Sequence, residues 1–184
     1  MSFLTPPIGP EDHVVTASGC AVTLVEFGDY ECPICGQAQP VVRTVLRRLQ
    51  DRMTFAFRHF PLIESRPRAM SAALAAEAAG LQGEYWSMHE ALFKHRDALE
   101  LDDLVGYARE LGLDMHRFMS DLDSDACLAR VRRDFTSAAR SGVTGTPTFF
   151  IDGLRYDGPR DVDSMVNALE RAMEGVQAFR ENGI

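Results

Sequence analysis

The sequence predicts a small α/β domain interrupted by a large α-helical insertion between its second and third strands. Three observations carry this. Short apolar, β-branched or aromatic runs stand at 21–30, 53–60 and 146–151, with the length and composition of buried strands. The stretch between the second and third runs is rich in Ala and Leu and has no strand patterning. An amphipathic helix follows the third run, so mixed α/β character stands at both ends of a helical middle, which argues for an insertion rather than a tandem pair. The expected organisation is one discontinuous domain of residues 12–64 and 141–176, an inserted helical subdomain of 65–140, and a flexible Pro-rich lead-in of 1–11.

The elements read as follows. Ala-Val-Thr-Leu-Val-Glu-Phe from Ala21 is apolar and flanked by Gly19 and Gly28, a buried strand. Gln37 to Gln50 spaces Ala38, Val42, Val45, Leu46 and Leu49 as a helix face, with Pro40 inside to kink it. Met53 to Phe60 alternates Phe55 and Phe57 against Ala56 and Arg58, and Pro61 ends it. Helices then follow over about Arg66–Leu81, Glu84–Asp97 and Leu101–Leu111, then a short one opened by Asp114 and holding Met115, Phe118, Met119 and Leu122, then about Ser124–Arg140. Gly112 and Gly142 sit where helix C-termini need them. After Thr146–Ile151, Asp152-Gly153 signals a hairpin to Leu154–Tyr156. Asp161 to Met173 closes as an amphipathic helix.

Composition excludes several classes. At 184 residues, 46% hydrophobic and 25% charged, the chain can build a core without disulfide staples, so collagen-like and disordered readings fall away. A net charge of -8 repels nucleic acid and anionic membrane surfaces, so neither is expected as a partner. Four cysteines are too few for a disulfide framework. Taken as a native start, residues 1–15 lack the basic start and apolar stretch of a secretory leader, which points to the cytoplasm.

The chemistry concentrates at Cys32-Pro33-Ile34-Cys35, where the first strand gives way to the first long helix. A helix N-terminus stabilises a thiolate, and Pro33 suits a first helical turn. Cys32, expected to be the more exposed, is assigned attack and Cys35 resolution. Half of a zinc site is the alternative, but Cys20 and Cys127 are isolated and no close His pair completes a ligand set. No metal is expected. Glu26, six residues before Cys32 on the apolar strand, is placed to take a proton from Cys35; a strand-end acid facing solvent is the other reading. Glu31 would disfavour a Cys32 thiolate if it pointed there. Thr146-Pro147 opens the third strand and accepts either peptide isomer. Cys127 reads as a buried, inert thiol on a face with Val131, Phe135 and Ala138. A Cys20–Cys127 bridge is conceivable.

Val25-Glu26-Phe27-Gly28-Asp29-Tyr30-Glu31-Cys32-Pro33-Ile34-Cys35 and Gly142-Val143-Thr144-Gly145-Thr146-Pro147-Thr148-Phe149-Phe150-Ile151 resemble the two signatures of the DsbA-like branch of the thioredoxin superfamily. Phe57-Arg58-His59-Phe60-Pro61-Leu62 is similar to the segment that follows in that branch, and Pro40 falls where thioredoxins carry a kinking proline. The match runs from about Asp12 to Glu174. The resemblance implies a thioredoxin fold, dithiol–disulfide exchange, a cis bond at Thr146-Pro147 and a buried acid at Glu26. Ile34 departs from the histidine of DsbA and offers the thiolate neither charge nor hydrogen bond.

The sequence thus reads as a thiol–disulfide oxidoreductase with Cys32, Cys35 and Glu26 in the chemistry. Pro33, Ile34, Thr146 and Pro147 are read as contacting substrate. Protein or peptide thiols and disulfides are its expected substrates, and a redox partner protein or glutathione its recycler. With no cofactor-binding loop in the sequence, no cofactor is expected. The alternatives are a peptide-binding holdase with structural cysteines and a relative of the kappa-type glutathione transferases, against which the paired cysteines argue.

Overall fold

A computed structural model describes residues 2–16, 21–49 and 52–181, without the side chains of 16 and 176–181. Cys20, and with it the bridge to Cys127, lies outside the described residues. Twelve elements follow in order. They are β1 (His13–Thr16), β2 (Val22–Gly28), α1 (Pro33–Leu49), β3 (Met53–His59), α2 (Ala69–Gly80) and α3 (Tyr85–Lys94). Then come α4 (Leu101–Glu110), α5 (Met115–Leu122), α6 (Asp125–Arg140), β4 (Thr148–Ile151), β5 (Leu154–Tyr156) and α7 (Val162–Glu181).

The strands form one sheet in the order β1-β3-β2-β4-β5. β2 and β3 pair in parallel, which their crossover through α1 requires. The other pairings are antiparallel. The β4–β5 hairpin turns at Asp152 and Gly153, with φ of 45° and 77°. That is the left-handed backbone an Asp-Gly turn supplies.

Period-two alternation sorts the sheet into two cores. Leu24, Phe55, Phe57, Phe149 and Ile151 face α1, α7 and the insertion. Val25, Phe27, Ala56 and Phe150 face the other way, against Leu4, Ala138 and Val143. The insertion centres on α2, whose alanines are buried around most of its circumference, not along one face alone. Small side chains let neighbouring helices approach it closely. Among the described residues no helix is long and apolar enough to cross a membrane.

Two expectations at the N-terminus need correction. The fifth strand, β1, is too short for a periodicity reading; it pairs with β3 from His13↔Phe57 to Thr16↔Thr54. Of the lead-in of 1–11, expected to be flexible, residues 2–11 lie against the domain. Leu4 is buried, its N–H donates to the Gly153 carbonyl at 2.8 Å, and Phe3 bridges Leu154. The anchor is Arg58, nearly buried on β3. It makes a bidentate pair with Asp12 at 2.8 and 2.9 Å and donates to the carbonyls of Pro6 and Pro7. A buried guanidinium needs these acceptors, and the prolines, having no N–H of their own, leave their carbonyls to supply them.

Candidate active site

Cys32 caps α1. Its carbonyl accepts the Gly36 N–H at 3.0 Å, and its own N–H donates to the Asp29 carbonyl at 3.1 Å. Cys35 follows in the first turn, so both sulfurs stand where a helix presents unpaired N–H groups. Asp29 holds the turn in place. Its carboxylate accepts the N–H groups of Glu31 at 2.8 Å and Leu62 at 3.0 Å, and pairs with Arg66 at 3.2 Å. Glu31 turns away from the thiols, accepting the Arg68 N–H at 2.9 Å at the entry to α2.

Both thiols are free and buried. This corrects the expectation that Cys32 is the exposed member, since it shows 0% of its surface. The exposed rim is Pro33 and Ile34, the latter 47% accessible. The Thr146 segment lies against Cys32, the sulfur 3.5 Å from the Thr146 carbonyl oxygen. The Thr146–Pro147 peptide is cis. Thr146 is half-buried, its hydroxyl having no hydrogen-bond partner at normal distance, and Pro147 is buried beneath it.

The two sulfurs differ in electrostatics. The Cys35 thiol, donating to Cys32, pulls the Cys32 pKa down to about 5. Burial opposes this, while the Cys35 N–H and the Arg66 guanidinium add to it. Burial first, then the bond to Cys32 and the Glu26 carboxylate, push the Cys35 thiol far up. One cysteine is thus a thiolate at neutral pH and the other its proton-bearing partner.

Glu26 stands on the Leu24 face of β2, beneath α1, with no exposed surface. Burial pushes its pKa up to about 8, against the pull of Gln39, and the charge of Cys32 adds to the rise. Gln39 Nε2 donates to the two carboxylate oxygens at 3.2 and 3.5 Å. Sequence reasoning missed Gln39. The available signal was its place one helical turn beyond Cys35, on the same face.

The structure therefore brings Cys32, Cys35, Glu26 and Thr146 together, leaves Pro33 and Ile34 at the rim, and buries Pro147. Cys127 is buried in the insertion with its thiol pushed up by burial. Phe135, expected on that buried face, is 44% exposed. It stacks on Phe60 with ring centroids 4.8 Å apart.

A second polar cluster lies between β3, α2 and α6. His59, Glu77 and Asp134 each offer a ligand atom within 4.8 Å of the others. Each of these ligand atoms already has a hydrogen-bond partner. Glu77 holds His13 at 2.9 Å and His59 at 2.8 Å, and Asp134 holds Arg130 at 2.9 Å and the His59 N–H at 3.0 Å. Arg130 supplies the cation, so the cluster is an ion-pair network.

A parallel pair of strands crossed by a helix with two thiols at its N-terminus, facing a proline segment from the far end of the chain, defines a thioredoxin-superfamily protein. The profile of the family described as Thioredoxin matches residues 9–171, and the chain belongs to that family. Its fold is DsbA-like. A thioredoxin-like oxidoreductase from Silicibacter pomeroyi superposes with a TM-score of 0.81 at 28% identity, over 90% of this chain and 94% of that one. The alpha-DsbA1 of Wolbachia pipientis shares the fold, with a TM-score of 0.81 at 20% identity over 95% of this chain and 96% of that one. The Na(+)/H(+) antiporter NhaA 1 of Salinispora arenicola is 42% identical over 175 residues, 95% of this chain and 27% of the antiporter. The chain spans about a quarter of the length of the curated relatives it matches.

Proposed function

We propose that this chain is a thiol–disulfide oxidoreductase working through the Cys32–Cys35 pair. The observation that supports it most is the electrostatic asymmetry of the two sulfurs, one held near pKa 5 and one pushed far up. We assign the chain this dithiol chemistry rather than the cation exchange named for its longer relatives, because paired thiols are what its own residues carry.

In the reducing direction the Cys32 thiolate attacks a substrate disulfide. A Cys32–substrate bond forms, the substrate S–S bond breaks, and one substrate thiolate leaves. That step removes the negative charge of Cys32, which had helped to keep Glu26 protonated. Glu26 then releases its proton to solvent admitted as the neighbours of Cys32 shift, and the carboxylate so formed accepts the Cys35 proton. Cys35 attacks the Cys32 sulfur, the second substrate thiolate leaves, and a Cys32–Cys35 disulfide remains. The same steps reversed oxidise a dithiol. Pro33, Ile34 and the backbone of Thr146 serve as the contact surface for a protein or peptide substrate. Because Cys32 is buried, its neighbours must shift as substrate arrives. A redox partner protein or glutathione resets the pair. The cytoplasmic setting belongs to the same proposal.

The test is the reduction potential of the pair in glutathione buffers, with free thiols trapped by alkylation. A value near about -270 mV marks a reductase suited to the cytoplasm, and one near about -120 to -180 mV an oxidant or isomerase. A pair that forms no reversible bond refutes the assignment and returns the holdase reading.

A further inference from the structure

The first turn of α1 carries a cation from the insertion. A Cβ at Gly36 would meet the Arg96 Cδ at 2.9 Å and Nε at 3.4 Å, so the bare backbone there lets the Arg96 stem lie on the helix. Gly36 stands one turn, about 6 Å, beyond Cys32, whose carbonyl accepts its N–H. The Arg96 side chain is 35% exposed. Its ion-pair partner is its neighbour Asp97 at 3.6 Å, which is 87% exposed. A pair so open to water holds its charge weakly.

A second cation comes from the opposite flank. α3 lies at the β1 edge of the sheet, where Trp86 donates to the Val14 carbonyl at 3.3 Å, and β5 is the other edge. Tyr156 on β5 pairs with Phe149, and Phe149 with Glu26, so the three form one row across the sheet. The Tyr156 hydroxyl donates to the Pro159 carbonyl at 2.7 Å. That bond folds the loop before α7 back toward the row and brings exposed Arg160 with it. The Arg160 charge is felt at Glu26, whose carboxyl it pulls down. The acids around both arginines are engaged elsewhere. Asp157 pairs with Arg155 at 2.9 Å, and Asp161 accepts the Ser164 N–H at 2.9 Å. Asp29 holds Arg66, and Glu31 and Glu100 hold Arg68.

Two weakly held positive charges thus flank the paired thiols of a chain whose net charge is -8. We propose that Arg96 and Arg160 select polypeptide segments that carry carboxylates on both sides of the reacting cysteine. The proposal rests on the dithiol-exchange reading and names its substrate class; the bonds made and broken are those given above. The net charge and the Cys32 thiolate repel an acidic segment, and the two arginines offset that repulsion where the segment makes contact.

The test uses unstructured single-cysteine peptides in mixed disulfide with 2-mercaptoethanol. The residues flanking the cysteine are Glu, Gln or Lys, and uncharged 2-hydroxyethyl disulfide is the reference. Rate constants for reaction with the reduced protein are read at about 0.01 M and about 1 M salt, between which the screening length falls from about 30 Å to about 3 Å. Relative to the reference, the Glu peptide should react about tenfold faster than the Lys peptide at low salt. That is the effect of two surface ion pairs worth up to about fivefold each. At high salt the two peptides should agree within about twofold. Arg96→Gln and Arg160→Gln should each cut the low-salt ratio about threefold, and the double variant should bring it near one. Arg96→Lys, which keeps the charge, should keep the ratio. A ratio near one in the wild type, or one that survives the double variant, overturns the proposal. So do variants that slow every disulfide alike, for then the arginines serve the structure of the site and not its choice of substrate. Wild-type protein that reacts with neither the peptides nor the reference overturns the underlying redox reading, and this one with it.

Discussion

Gln39 donates its side-chain amide to the carboxylate of Glu26, at 3.2 Å to one oxygen and 3.5 Å to the other, beneath the helix that begins with the paired thiols. Burial still wins, and the acid sits near pKa 8 against an ordinary 4.5. Between those two values the folded chain keeps a proton that the unfolded chain releases, so Glu26 makes the protein less stable as pH rises through that window. Glu26→Gln should therefore stabilise the reduced protein, by little at pH 4.5 and by on the order of a few kcal/mol at pH 8. It should also slow release of the mixed disulfide, since no carboxylate takes the Cys35 proton. Urea denaturation across that range reads the first effect and single-turnover kinetics the second. A stability gain that shrinks toward pH 8 would contradict the assignment.

The Cys32 thiolate has the opposite sign. Its pKa is depressed from 9.0 to about 5, so it contributes stability to the reduced protein that is fully present above 9.0 and lost as pH falls through 5. Alkylation of Cys35→Ala should titrate with a midpoint between 5 and the ordinary thiol value, because the largest stabilising donor has been removed. The same variant should accumulate mixed disulfides, and Cys32→Ser should abolish exchange. Undiminished turnover by Cys32→Ser would sink the mechanism.

Much of this site was legible because it is local. A strand, a turn and a helix start lie within 22–35, and their periodicities place Glu26, Cys32 and Cys35 before any coordinates are known. The fold class was legible for the same reason, strand runs and helix runs being distinct in period. What stayed hidden depends on contacts remote in sequence. Arg58 alternates outward on its strand, and nothing local says that the N-terminal segment and Ser137 will close over it. Asp29 reads as an ordinary turn acid until Leu62 and Arg66 reach it from beyond β3. Phe135 has the spacing of a core residue, but one face of its ring stacks on Phe60 and the rest stays exposed.

The Arg58 anchor gives a stability prediction. Both side chains of the Arg58–Asp12 pair are almost wholly buried. Burial works against the charge on Asp12, yet the guanidinium holds its carboxyl below the usual range. Asp12→Ala leaves a buried cation with part of its partners gone and should cost about 3–5 kcal/mol. Leu4→Ala, which empties a core position beneath the same segment, should cost roughly 2–3 kcal/mol. Glutathione disulfide turnover of the surviving folded fraction should be unaffected, since neither residue approaches the thiols. Chemical denaturation with both variants checks the figures. Costs under about 0.5 kcal/mol, the range of surface substitutions, would mean the lead-in is not held by these contacts.

His89 sets a second pH dependence. It lies on α3 among Phe57, Trp86 and Phe93, and its Nδ1 is hydrogen-bonded with the Tyr30 hydroxyl at 3.1 Å. Burial, with positive neighbours adding, lowers its pKa to about 3 from 6.5. The folded protein thus keeps His89 neutral where the unfolded chain takes up a proton, and stability falls as pH drops from 6.5 toward 3. Each unit in that interval costs up to about 1.4 kcal/mol. His89→Phe fits the aromatic surroundings and removes the titration but leaves the Tyr30 hydroxyl unpaired, a pH-independent cost of about 1–3 kcal/mol. The variant should be the weaker protein at pH 7 and close the gap on acidification. Denaturation of both proteins at half-unit steps from pH 7 to 3.5 tests this. Curves that run parallel would mean that His89 is protonated in the fold, and that the Tyr30 contact is made by a charged ring.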